Sequence, residues 1–460
     1  MQSLWSKTIN NHHKQTKPES EDNHLPENLH VQNVVIGAGI TGILTAYLLQ
    51  KKGQEVIILE ADKVASGQTK NTTAKITAQH GPIYHQLLKK TDAARARGYY
   101  EANAKAIDSY EEIIEKEEIS CHFKRLPAFL YATSESGLHL LQKEDDALKQ
   151  LGIESEYMGA GCVKELPFPV RGALRMDDQA QFHPLKFVEA LAGKLTIYEQ
   201  TKVMSVYNRH LLETSQGVVT AEHVIFACHY PFLIKPGYYF ARQHQSRSYA
   251  LALEGEGVPE ELAGMYYGVE KDGISLRSEE GRLIFGMGDR RTGNVDFGYG
   301  DIRRRAKECY PKAKEVAVWA AQDCMPHDGI PYIGNYAMDC PDWYVATGFQ
   351  KWGMTSAMVA ATLISEAITG GNYPYRTVFA PQRWLLKAAM EDLIVDAGVS
   401  AWGLGKGLYV EQERVCTHMG CALKHNKEEG TWECACHGSR FAEDGSLLDG
   451  PAQTDLVAKP

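Results

Sequence analysis

Cysteine is sparse, positive charge is not in excess, and no apolar run is both long and free of polar residues. Each shortage excludes something. Ten cysteines among 460 residues are too few for a disulfide scaffold. Six of them, Cys121, Cys162, Cys228, Cys309, Cys324 and Cys340, stand singly and read as small buried hydrophobes. Acidic residues outnumber basic ones by 58 to 49, and the net charge of -9 argues against binding nucleic acid, whose phosphates require a basic surface. The longest apolar stretch, Gly353 to Ile368, is interrupted by Thr355, Ser356, Thr362, Ser365 and Glu366, which suits a buried helix and not a transmembrane segment. No opening stretch combines a basic region, an apolar run and a small-residue cleavage site, so the protein reads as unexported and cytoplasmic. Residues 1–32 are polar and read as a tail, with Leu4 and Trp5 able to dock on the body.

What is present is a globular composition, 44% hydrophobic and 23% charged, long enough for two or three cores. The run Asn33 to Gly42 is a β-branched strand followed by Gly37, Gly39 and Gly42, and it opens a helix through Ile40 and Thr41. In a dinucleotide-binding turn the first glycine permits the tight bend, the second admits a pyrophosphate, and the third lets helix pack on strand. The helix N-terminus then presents free N–H groups to the phosphates. A second strand, Gln54 to Glu60, ends in a carboxylate 23 positions beyond Gly37, placed for a ribose hydroxyl. The pattern alone does not separate NAD from FAD. The loop that follows, Ala65 to Thr77, is rich in glycine, hydroxyl and amide groups, and its Thr69, Thr72, Thr73 and Ala74 suit a cofactor that extends past the pyrophosphate.

With these residues the chain resembles the FAD-dependent oxidoreductases of the D-amino-acid oxidase, glycine oxidase and sarcosine oxidase superfamily. The likeness covers roughly residues 30–383 and includes Gln181 to Phe187, Val224 to Cys228, Ile274 to Arg277, Trp319 to Asp323, Asp328 to Gly334 and Ala346 to Thr355. It implies an α/β FAD-binding domain, Rossmann-type and glutathione-reductase-like, interleaved with an α+β substrate domain within residues 33–390. The FAD-binding parts fall at about 33–110, 180–235 and 320–380, and the substrate parts at about 120–180 and 235–320. It further implies that Val203 meets the adenine, and that Gly348 with Trp352, Gly353, Met354 and Thr355 brings a helix N-terminus to the flavin. No cysteine matches the thioether link of some sarcosine oxidases, so FAD is expected to be non-covalent. Catalysis in this superfamily removes hydride from the carbon beside an amine. Arg277, Tyr249 and Lys75 are the candidate catalytic residues, with Tyr266, Tyr267 and His80 near them.

The other four cysteines fall within 21 positions of one another. Cys416 and His418, then Cys434 and His437, make C-x-H, fifteen intervening residues, and C-x-x-H. Two thiolates and two imidazoles suit the two irons of a Rieske centre, and would equally complete a tetrahedral zinc site. The surrounding residues, Cys416 to Cys421, Trp432 to Phe441, Gly445 and Gly450 to Ala452, resemble the cluster-binding part of Rieske proteins of the disulfide-containing type. That likeness implies a [2Fe-2S] cluster on those four ligands, a Cys421–Cys436 disulfide, and hydrogen bonds to the cluster from Gly438 and Ser439. The domain, residues 391–460, is expected to be small and all-β. Its basal sheet looks abbreviated, because only 23 residues follow His437.

The complete order resembles bacterial FAD-dependent oxidoreductases with a C-terminal Rieske domain. The function so implied is oxidation of an amine or amino acid, with electrons passing from flavin to cluster and on to an unknown acceptor. Two alternatives stand beside it: a reductase or oxygenase component in which the cluster feeds the flavin, and a non-enzymatic redox sensor.

Overall fold

The computed structural model describes residues 2–10, 24–383, 386–409 and 414–456. Three sheets organise them. The first has eight strands, with a parallel centre formed by Cys340–Thr347, Gly217–Phe226, Leu29–Ile36, Val56–Leu59 and Thr196–Tyr198. Its middle strands are buried on both faces, which is why they read as unbroken β-branched runs. The helices Ile40–Lys51 and Gly353–Ile368 pack against each other over this sheet, and both start at the carboxyl ends of its strands. In an open parallel sheet that edge is where ligands bind.

The second sheet has nine strands, drawn from Lys124–Ala132 through Gly172–Gln181 and from Gln243–Glu254 through Lys314–Pro326, with Lys75–Ile76 added at one edge. The interleaving expected from the sequence is therefore present. Lys314–Pro326 carries Trp319 to Asp323 into this second sheet, so the return to the first sheet comes at Tyr332 and not near 320.

Two elements depart from the sequence reading. Within the supposed tail, Leu4–Asn10 is a helix whose Trp5 is fully buried, and Trp5 Nε1 donates to Thr72 O at 2.7 Å. The first strand likewise begins at Leu29, inside the same stretch. The C-terminal sheet is small and all-β, as expected, but a helix precedes it. Leu386–Gly407 is a helix, and the sheet beyond it, among the described residues, is the four-stranded meander Lys424–Asn426, Thr431–Glu433, Arg440–Ala442 and Leu447–Asp449. Two of the helix's glycines serve close packing. A Cβ on Gly403 would lie 2.5 Å from Cys436 Sγ, and one on Gly407 would lie 2.1 Å from Gly420 O. Asp396 anchors the helix to the second sheet by accepting from His244 Nδ1 (3.1 Å) and His327 Nε2 (2.6 Å), with Arg291 on its other oxygen.

Candidate cofactor sites

A cavity of about 1040 Å³ opens at the carboxyl edge of the first sheet. The glycine turn forms its floor. Gly37 has φ +106°, and a Cβ there would meet Ala227 O at 2.8 Å. Gly42 lies under the turn, where a Cβ would fall 1.9 Å from Gly37 O, so helix and strand touch through bare backbone. Gly39, Ile40 and Thr41 line the cavity, and Ile40 N–H donates to Thr69 Oγ1 at 3.0 Å, which ties the helix start to the following loop. Glu60 also lines it, accepting from Ala38 N–H (2.7 Å) and Asp62 N–H (2.9 Å). Burial raises its pKa, against the pull of those two bonds.

Thr69, Thr72, Thr73 and Val203 also line the cavity, as do Gly348, Trp352, Gly353 and Met354. Ala74 and Thr355 lie outside the lining. Ala74 takes a left-handed backbone (φ 57°) and offers its carbonyl to Arg277, while the Thr355 hydroxyl donates to Thr77 O and sits 3.0 Å from His80 Nε2. His80 stacks behind Trp352, rings 4.9 Å apart, and burial pushes its pKa down to about 3.

Of the three candidate catalytic residues, two face the cavity. Lys75 Nζ is buried and donates to Tyr266 O and Ser275 Oγ, both at 2.7 Å. Desolvation, with the charge of Arg277 adding, lowers its pKa to about 7. Tyr249 lines the cavity and donates its hydroxyl to Glu429 Oε1 at 3.1 Å. Arg277 is sealed in the core, where it donates to Thr73 O, Ala74 O and Phe182 O and pairs with Glu279. Its guanidinium braces the cofactor loop and has no access to a substrate. Tyr266 is committed to Glu165 and stacks on Phe129, whereas Tyr267 lines the cavity beside Trp352.

A charged group that sequence reasoning missed faces the same space: Lys351, Asp289 and Asp323, with Lys351 Nζ 3.2 Å from Asp289 Oδ1. Desolvation raises the Asp323 pKa to about 7. Lys351 and Asp323 sit in stretches whose resemblance was visible, but only the fold brings positions 289, 323 and 351 together.

The second constellation lies in the C-terminal domain. Cys416, Cys434 and His437 are buried and His418 is half-buried, with the two imidazole centres 5.0 Å apart. Both Nδ1 atoms are buried without a hydrogen-bond partner. A buried polar atom left unpaired calls for an explanation, and here two of them belong to histidines two and three positions after Cys416 and Cys434. Burial lowers the pKa of His418 to about 4 and of His437 to about 3, which keeps both neutral, the form that ligates metal. Cys421 and Cys436 are joined as a disulfide between the two loops, so neither offers a thiolate. Ser439, fully buried, follows close behind His437.

The model of the FAD dependent oxidoreductase family matches residues 33–367. The chain belongs to that family. A model of the Rieske [2Fe-2S] domain matches residues 393–460, which decides between iron–sulfur and zinc for the cysteine–histidine set. A Bacillus subtilis (strain 168) protein designated YhfW and described as a Rieske 2Fe-2S iron-sulfur protein is 34% identical, over 93% of each chain. The 4-methylaminobutanoate oxidase (formaldehyde-forming) of Paenarthrobacter nicotinovorans is 26% identical, over 76% of this chain and 45% of its own length. The crystal structure of glycine oxidase from Geobacillus kaustophilus superposes with a TM-score of 0.63 at 19% identity, over 78% of this chain and 100% of that one. Among the described residues no helix is long and apolar enough to cross a membrane.

In this FAD-dependent oxidoreductase the Rieske domain docks on the second sheet. Residues of strand Gln243–Glu254 alternate in direction, so Gln245, Arg247 and Tyr249 share a face. Gln245 Nε2 donates to His437 O (2.8 Å) and Gly450 O (3.0 Å), while Gln322 on the neighbouring strand donates to Gly438 O (2.8 Å). Arg247 pairs with Glu433 (2.6 Å) and Glu429 (2.7 Å), all three buried, and desolvation is outweighed by these carboxylates, which raise its pKa. Gly438 has no room for a side chain, since a Cβ would lie 2.6 Å from Gln245 Cβ.

Proposed function

We propose that this enzyme oxidises an amine or amino acid at the carbon beside nitrogen and passes the electrons through its own Rieske cluster to an acceptor outside the chain. The observation that carries the reading is the shared face of strand Gln243–Glu254: Tyr249 lines the flavin cavity and Gln245, on the same face, holds the carbonyl of a cluster ligand. Bound FAD supplies two-electron acceptance from the substrate carbon, and the bound cluster one-electron acceptance, with Rieske potentials of roughly -150 to +300 mV.

The residues divide the work. Glu60 holds the ribose, the N–H groups of Gly39 and Thr41 at the helix start hold the pyrophosphate while those of Gly37, Ala38 and Ile40 fix the turn itself, and the start of helix Gly353–Ile368 faces the flavin. Cys416, Cys434, His418 and His437 hold the cluster. Lys75, Asp323 and Lys351 are the groups beside the flavin able to bind, orient or take a proton from a substrate nitrogen; two of them have pKa values near neutrality. An amine substrate is favoured by the relative named for 4-methylaminobutanoate, itself a secondary amine. A cytoplasmic setting belongs to the same reading, supported by eight unbridged cysteines and by burial of the single disulfide.

The test is anaerobic. Purified protein is mixed with a panel of amines and amino acids while flavin absorbance and the Rieske electron paramagnetic resonance signal are followed. Flavin bleaching that precedes the reduced-cluster signal is the expected result. Failure of every amine and amino acid to bleach the flavin overturns the substrate class, and cluster reduction ahead of flavin overturns the direction of flow.

A further inference from the structure

The flavin cavity is not closed by the oxidoreductase domain alone. Asp449, Gly450, Pro451 and Gln453 of the Rieske domain form part of its wall, across from the glycine turn and its neighbours. This short segment is fastened on two sides. Toward the oxidoreductase, Lys202 Nζ donates to Gln453 O at 2.6 Å, next to Val203, and Gln68 Nε2 donates to Asp449 Oδ1 at 3.3 Å. Toward the cluster, Ala452 N–H donates to Ser439 Oγ at 3.0 Å, two positions past His437. Gln245 holds both sides at once through Gly450 O and His437 O.

The wall is also suited in charge to a diphosphate. Asp449 would repel one, but its carboxylate is paired with Arg440 at 2.9 Å, and Lys202 stands beside it as a cation. The segment's polar groups are largely spent: Gly450 O on Gln245, Ala452 N–H on Ser439, Gln453 O on Lys202, and Gln453 Nε2 on the segment's own carbonyls.

We propose that residues 449–453 of the Rieske domain are part of the FAD-binding site, and that FAD retention and cluster occupancy are thermodynamically linked through them. The inference rests on assignment of the cavity to FAD. The cluster orders the loops that carry its four ligands, Ser439 on one of those loops fixes Ala452, and Ala452 fixes the wall. Loss of the cluster frees Ser439 and loosens the wall over the cofactor. By reciprocity, loss of FAD removes the surface against which the wall rests and loosens the cluster loop.

The experiment uses the full-length holoprotein. Gln245 stands behind the wall and does not line the cavity, so Gln245→Ala cuts the tie to Gly450 and His437 without touching FAD. Release of FAD after dilution is followed by the rise in flavin fluorescence, with circular dichroism confirming that the variant is folded. FAD is expected to leave Gln245→Ala about tenfold faster than wild type, toward the lower end of the range typical of coupled sites. A second arm needs no variant: wild-type protein with FAD, or stripped of it by dialysis against high bromide, is exposed to an iron chelator. Cluster loss, read by electron paramagnetic resonance, is expected to be about tenfold faster without FAD. Equal rates in either arm overturn the linkage. Protein that purifies without flavin overturns the cavity assignment instead.

Discussion

Lys75 carries an ammonium into the cavity wall against two neutral acceptors, so its folded pKa, lowered chiefly by desolvation, is about 7. In the unfolded chain it titrates at about 10.4. Between those values the unfolded state binds more protons, so this residue makes stability rise with pH; below the folded pKa the full cost of burying the charge is borne. Lys75→Met keeps the length and removes the charge. The melting temperature of the variant minus that of wild type is therefore expected to fall between about pH 6 and about pH 10, and a constant difference would show that Lys75 does not titrate there. Gly42→Ala acts through sterics alone, since its methyl would lie 1.9 Å from Gly37 O. It should cost at least about 1–3 kcal/mol and lower the flavin-to-protein ratio on purification. The glycine turn, Glu60 on the cavity wall and the clustering of Cys416, His418, Cys434 and His437 were legible in the sequence because short spacings encode them. Arg277 was misread because a residue type next to a strand does not reveal which way the side chain points. Lys351 and Asp323 were missed because their partnership exists only after three distant segments meet.

Helix Leu386–Gly407 was the element hardest to read. Four glycines lower helix propensity and mimic a linker, yet Gly403 and Gly407 are where the helix touches the cluster loops most closely. A side chain at 403 has to displace Cys436 or the helix. Gly403→Ala is expected to destabilise the protein by about 1–3 kcal/mol and to lower iron content, measured by thermal unfolding and iron assay. Gly398→Ala has open space and should gain helix propensity without loss of iron. The supposed N-terminal tail shows the same lesson. Its composition is polar, but one buried tryptophan that meets Thr72 O and stands 5.2 Å from Arg277 is enough to pin a short helix to the cofactor loop. Strands and helices with clean periodicity, such as Gly353–Ile368, were where the sequence placed them.

At the scale of the molecule, the Rieske domain is held by buried charge. Arg247 faces Glu429 and Glu433, and Arg440 reaches both from the other side. Removing one partner of such a group leaves a buried charge unpaired, at a cost of about 3–5 kcal/mol. Arg247→Ala is therefore expected to turn a single calorimetric transition into two, with the Rieske domain melting first; one unchanged transition would show that the ion pairs do not hold the domains together. The bare backbone at Gly438, pressed on Gln245, bears on how such a protein is inherited. A Rieske module acquired by recombination seats here only if it meets that glutamine without a side chain and returns a carbonyl to it. A hybrid assembled from unmatched parents, with a side chain at position 438, would not seat against Gln245 without displacing it.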